Sequence, residues 1–135
     1  MKVALLGDIH GNHLALKAVL DAALQHGVER LLITGDLVGY YFWPREVLEL
    51  LSKWDFVAVR GNHEDMLAEA KKNRALLNSI FLKYGSGLQI ALDQLNNQQL
   101  NMLISLQHPL DISINEYRIL LCHGSPWDID QYVYP

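Results

Sequence analysis

One cysteine, Cys122, is all this chain has, so no disulfide can form within it. Charge is sparse too. Eleven basic residues against 15 acidic ones give a formal net charge of −4, which argues against broad nucleic-acid binding, because that takes a basic face. Small phosphorylated molecules stay open as partners, since bound divalent cations reverse the local sign. No apolar run is long enough to span a bilayer. The apolar start, Met1 to Gly7, meets Asp8 too early to form a signal-peptide core. The expectation is a chain with no membrane contact in a reducing cytoplasm. Repeats, low-complexity tracts and linkers are also missing. The 135 residues, 50% of them hydrophobic, fit a single domain over 1–135 with a real core.

What is present is an order of elements. Val3 to Leu6 reads as a buried parallel strand. Asn12 is placed to cap a helix from His13 to about His26, with Leu16, Leu20 and Leu24 along one stripe. Arg30 to Thr34 is a second strand, Pro44 starts a helix to about Lys53, and Phe56 to Val59 is a third strand. That alternation signals parallel crossovers. Beyond Gly61 a helix is expected from Glu64 to about Phe81, a break at Gly85-Ser86-Gly87, and a further helix from about Asn96 to Leu106. Leu110, Ile112 and Ile114 alternate as a half-buried strand, Asn115-Glu116 turns it, and Tyr117 to Cys122 returns.

Three strings stand just past the first three strands: Asp8-Ile9-His10, Gly35-Asp36, and Gly61-Asn62-His63-Glu64. His123-Gly124-Ser125-Pro126 follows the last one. Ligands bind at that edge of an open α/β sheet. An isolated Asp-X-His is a solvated turn. Three ordered strings are a metal site, with Asp8, His10, Asp36, Asn62 and His123 as candidate ligands. A carboxylate such as Asp36 can bridge two cations, and paired cations can clamp the attacking and leaving oxygens of a phosphoryl displacement. Carboxylate, imidazole and amide donors suit Mn, Fe, Zn or Ni more than Ca. His63 opens a helix, where backbone N–H groups favour a phosphate, and its titration range suits a general acid. The plainer role for it is a cap. Asn12 and His63 are the candidate substrate-binding residues.

These strings resemble the calcineurin-like metallophosphoesterases. The details Asp8-Ile9-His10-Gly11-Asn12, Gly35-Asp36-Leu37-Val38-Gly39-Tyr40 and His123-Gly124-Ser125-Pro126 are similar to its small prokaryotic phosphodiesterase branch. The resemblance implies an α/β fold, a four-layer αββα sandwich of two mixed β-sheets flanked by helices. It implies two divalent metal ions, Mn foremost. Asp8 and His10 would bind the first, Asp36 would bridge, and Asn62 and His123 would bind the second. A metal-bound hydroxide would then attack phosphorus in a phosphodiester, or a phosphomonoester, while His63 protonates the leaving group.

Two departures accompany it. The family continues with a Gly-His-X-His string that supplies one ligand to each metal, and these 135 residues end at Tyr132-Val133-Tyr134-Pro135 without it. The expectation is a carboxy-terminally truncated sandwich: an artificially shortened chain, a naturally short product, or a fragment completed by another chain. The alternative to an enzyme is a non-catalytic metal or phospho-ligand binding module. A homo-oligomer formed through apolar surface is a third reading. The second departure is Gly39-Tyr40. Protein phosphatases and dinucleoside tetraphosphatases have there an Asp that orients the catalytic His, so those substrate classes fit less well.

Other features carry competing readings. The run Tyr40-Tyr41-Phe42-Trp43 either stacks a nucleobase or packs a helix onto the sheet. Residues 72–95 are placed to cap the site, with Phe81 or Tyr84 lining it. Lys71, Lys72 and Arg74 read as a solvated helix face, His13 as a helix-surface residue, and Cys122 as core.

Overall fold

A computed structural model describes residues 1–134. Three short strands, β1 (Val3–Leu6), β2 (Arg30–Ile33) and β3 (Phe56–Ala58), form a parallel sheet in the order β1-β2-β3. Leu5 pairs with Leu32, and Leu32 with Val57. The crossovers are α1 (His13–Gln25) and α2 (Pro44–Leu51). Asn12 caps α1 by accepting the Ala15 N–H at 3.1 Å. Pro44 sits in the first turn of α2, where a missing N–H costs nothing.

Alternation along β2 divides the core in two. Leu31 and Ile33 face the helices and pack with Leu16, Leu20, Val47 and Leu51. Leu32 points the other way, into a second core with Val59, Ile114 and Leu121. Ile114 and Leu121 come from the antiparallel pair β4 (Leu110–Ile114) and β5 (Tyr117–Leu121). Their two-residue turn holds Asn115 at φ +53°, a left-handed conformation that Asn tolerates. The expected α/β fold with two stacked sheets and flanking helices is there. Neither sheet is mixed among the described residues, one being wholly parallel and the other antiparallel. Among the described residues, the helical residues of these cores lie on one side of the stacked sheets.

Several expectations shift. β1 was expected buried but is a sheet edge, with Leu5 68% exposed. An apolar run reveals a strand without telling whether neighbours cover both sides of it. Leu24 is exposed while Ala23 is buried. Successive steps of four residues drift by about 40° each, so residue 23 stays over Leu16 and residue 24 does not. The long helix past Gly61 is divided into α3 (Asn62–Lys72), a 3-10 turn (Arg74–Leu76) and α4 (Leu77–Tyr84). Asn73 is extended at φ −140° and caps the turn through the Ala75 N–H. Helix α5 (Gly87–Gln94) begins at the last residue of the expected break and fills a stretch to which no helix was assigned, because two glycines masked its short apolar stripe of Leu88, Ala91 and Leu92. The last helix, α6 (Asn97–Ile104), opens on a capping box between Asn96 and Gln99. Lys71 reaches Asn101, Lys72 meets Glu69 and Arg74 pairs with Asp93, all on the surface, as a solvated face should. No helix among the described residues is long and apolar enough to cross a membrane.

Candidate metal centre

The turns leaving β1 and β2 are bonded to one another. His10 N–H donates to the Asp36 carbonyl at 2.8 Å, and Gly11 N–H to that of Leu37 at 2.8 Å. These bonds hold Asp8, His10 and Asp36 at φ +52°, +49° and +54°, a region that residues with a Cβ seldom occupy. Left-handed backbone at these three positions turns their side chains into one space above the sheet.

Asp36 is its centre. It is 3% exposed, and its Oδ2 lies 3.5 Å from His10 Nε2 and 3.7 Å from His123 Nε2. The outer Asp8 Oδ1 stands 3.5 Å from the same His10 nitrogen, and Asn62 Oδ1 stands 3.1 Å from His123 Nε2. Each imidazole has its other nitrogen on a main-chain carbonyl: His10 Nδ1 on Val38 at 3.2 Å, His123 Nδ1 on Thr34 at 2.8 Å. A carbonyl only accepts, so both Nδ1 atoms carry the proton and both Nε2 lone pairs face Asp36. Donor atoms about 2 Å from a shared cation stand roughly 3 to 3.5 Å apart, so this set fits metal ions. Asp36 belongs to both clusters of closely spaced donors, one with His10 and His63, the other with Asp8 and His123. A bridging carboxylate occupies such a position.

Behind the donors lies Glu64, fully buried. Its Oε2 accepts the N–H groups of Asp36 at 2.9 Å and Gly61 at 2.8 Å. Its Oε1 accepts those of Leu37 at 2.8 Å and Val38 at 3.3 Å. Burial, with the nearby Asp36 charge, pushes Glu64 up to about 7 against the pull of those N–H groups. Burial also raises Asp36, opposed by the His63 N–H on its Oδ1 at 3.0 Å. His63 is 2% exposed, its Nδ1 has no partner, and burial beside His10 and His123 lowers it to about 4.

A cavity of about 410 Å³ opens over this group. Asp8, His10, Asp36, Asn62, His63 and His123 all line it, so the six residues expected at the centre are brought together. Asn12 is not: it caps α1 and lines a separate cavity beside Leu5 and Tyr41. Tyr84 and Tyr40 reach the first cavity, whereas Phe81 is 56% exposed outside it. Sequence reasoning passed over three contributors. Glu64 counted only as a motif letter, although a carboxylate three residues past a helix start signals inward capping. His108 bonds through Nε2 to the His123 carbonyl at 2.7 Å. Tyr132 lines the cavity mouth, with no signal in the sequence to place it there.

Comparison with known proteins agrees with the geometry. The family described as calcineurin-like phosphoesterase matches residues 1–134. An uncharacterized protein of Methanocaldococcus jannaschii is 30% identical over 136 residues, which cover 98% of this chain and 54% of that protein. A hypothetical protein from Pyrococcus horikoshii superposes with a TM-score of 0.81 at 26% identity, over 98% of this chain and 59% of its own. A metallophosphoesterase from Sphaerobacter thermophilus gives a TM-score of 0.71 at 29% identity, over 99% and 51%. The chain thus spans little more than half the length of the proteins it matches.

Proposed function

The chain belongs to the calcineurin-like phosphoesterase family, and on that premise we propose that it hydrolyses phosphodiesters with the help of two divalent cations, Mn foremost. The observation that carries this reading is the pair of imidazole Nε2 atoms facing one buried carboxylate oxygen, Asp36 Oδ2, at 3.5 and 3.7 Å. Asp8, His10 and Asp36 would hold one cation, and Asp36, Asn62 and His123 the other. Bound there, the cations supply Lewis-acid activation of water and neutralise charge on the phosphoryl oxygens.

The chain's own residues do the rest. His63 stands in the first turn of α3, where free N–H groups favour a phosphate anion. That anion brings the negative charge that raises the His63 imidazole from its low value, so the ring can carry a proton to the leaving oxygen. The substrate is a small phosphorylated molecule, and the lone Cys122 suits a reducing cytoplasm.

The test is metal content by mass spectrometry after equilibration with manganese, beside hydrolysis of a chromogenic phosphodiester. Nearly two ions per chain, lost in Asp36→Ala, with turnover abolished in His63→Ala, is the expected result. Metal uptake without turnover would instead leave a phospho-ligand binding module.

A further inference from the structure

Two aromatic residues, Tyr40 and Tyr84, line one part of the cavity, and two backbone segments pressed together carry them. Tyr40 comes from the turn after β2 and Tyr84 from the last residue of α4, yet their ring centroids are 6.0 Å apart at 66°, an edge-to-face contact. Both rings lean on the proposed proton donor: Tyr40 is 5.0 Å and Tyr84 5.2 Å from the His63 ring. Their spacing is set by main chain, not by side-chain packing. Gly87 at the start of α5 meets Gly39 so closely that a Cβ on Gly87 would lie 1.6 Å from the Gly39 carbonyl oxygen. Gly39 in turn has no room for a side chain, since its Cβ would fall 2.2 Å from His63 Nδ1. The segments carrying Tyr40 and Tyr84 are therefore locked to each other and to His63.

Tyr40 is 45% exposed and lines the cavity. An open phenol ring is costly in water unless something covers it. A diester has two substituents on phosphorus, and both rings stand about 5 Å from the His63 ring, within reach of a substituent on a phosphoryl group bound beside it.

We propose that Tyr40 and Tyr84 form a specificity platform for a phosphodiester that carries a planar aromatic substituent. The platform rests on the phosphodiesterase reading of the same cavity. Its contribution is selection of the group beside the phosphorus, by stacking on an open π face close to the proton donor. A phenyl ring and a nucleobase present the same planar surface and differ in their polar edges.

Binding of stable monoanions to the manganese-equilibrated chain tests this apart from turnover. Isothermal titration compares dimethylphosphinate, methyl(phenyl)phosphinate and a methylphosphinate joined to C5′ of 5′-deoxyadenosine. The aromatic ligands are expected to bind about tenfold tighter than the dimethyl one. That ratio should fall to within about twofold of one in Tyr40→Leu and Tyr84→Leu, and survive in Tyr40→Phe and Tyr84→Phe. A tighter adenosine ligand identifies a nucleotide diester, and equal aromatic ligands identify a simple aryl ester. A ratio near one in the wild type, or an unchanged ratio in both leucine variants, overturns the platform. Failure to hydrolyse methyl p-nitrophenyl phosphate, with the binding ratio intact, counts against the phosphodiesterase reading alone.

Discussion

The carboxylate of Glu64 takes the backbone N–H of Asp36 at 2.9 Å, so a residue in the first turn of α3 fixes the main chain of the central metal-ligand candidate. The same carboxylate accepts from Leu37, Val38 and Gly61. One side chain thereby sets both turns that present Asp36 and His63. Its position explains why the motif ends on an acid: four converging N–H groups need two oxygens that only accept.

Replacing Glu64 by Gln tests that account, because size and shape are kept while one oxygen becomes a donor. The new NH₂ would point at two N–H groups and leave them unsatisfied in a dry core. The expected loss is about 3 kcal/mol of folding stability, measured by urea unfolding of the metal-free protein at about pH 8.5, where Glu64 is ionised and both its oxygens only accept. A loss under about 0.5 kcal/mol would show that the four bonds do not hold these turns together.

Two buried groups give opposite pH dependences in the metal-free protein. Glu64 is raised from 4.5 to about 7, so its contribution is present below pH 4.5 and is lost as pH rises through 7. His63 is lowered from 6.5 to about 4, so its contribution is present above pH 6.5 and is lost as pH falls through 4. Between pH 4.5 and 6.5 these two slopes oppose each other, so the wild-type curve should be shallower there than that of a variant without the imidazole. Removing the imidazole in His63→Asn should uncover the Glu64 limb, a steeper fall from pH 4.5 to about 7. Parallel urea-midpoint curves for wild type and variant would rule the pairing out.

Much of this was legible in the sequence. The βαβαβ order, the Asn12 cap and the three strings at strand ends depend on short-range signals: apolar runs, turn residues and spacing. Packing decided the remainder. β1 and β2 have similar apolar runs, yet one is an edge and the other central, because partner number is a property of the sheet. Asn73 and Gly87 hid a helix boundary and a helix, since both residues discourage helix locally while the surroundings favour it. Within the site, ligand types and order could be read. The left-handed turns at Asp8, His10 and Asp36 could not, because sterics alone would direct those residues elsewhere.

Gly39 sits at φ +129°, with His63 Nδ1 and His10 Nδ1 both within 2.9 Å of where a Cβ would stand. Alanine there is strained by its backbone and also collides with both rings. Gly39→Ala is expected to lower stability by about 2 kcal/mol or more. It should also weaken manganese uptake, through His10. Near-native stability together with native metal binding would mean that neither ring is held against this loop.

Cation binding should be visible as stability. Two ions that bind the folded chain and not the unfolded one stabilise it by mass action, about 2.7 kcal/mol for each site at a hundredfold excess over its dissociation constant. Asp36 stands between His10 and His123 and is assigned to both proposed sites, so one substitution should affect both. In Asp36→Asn, the side chain keeps its size and its oxygen can still accept the His63 N–H, but the negative charge between His10 and His123 is gone. Added manganese should raise the melting temperature of the wild type and leave that of the variant almost unchanged, with chelation reversing the wild-type shift. The metal-free variant should be no less stable than the metal-free wild type, because burial already penalises the Asp36 charge there. If manganese stabilised both proteins equally, the cations would be binding elsewhere, and Asp36 would be a buried carboxylate with a structural role alone.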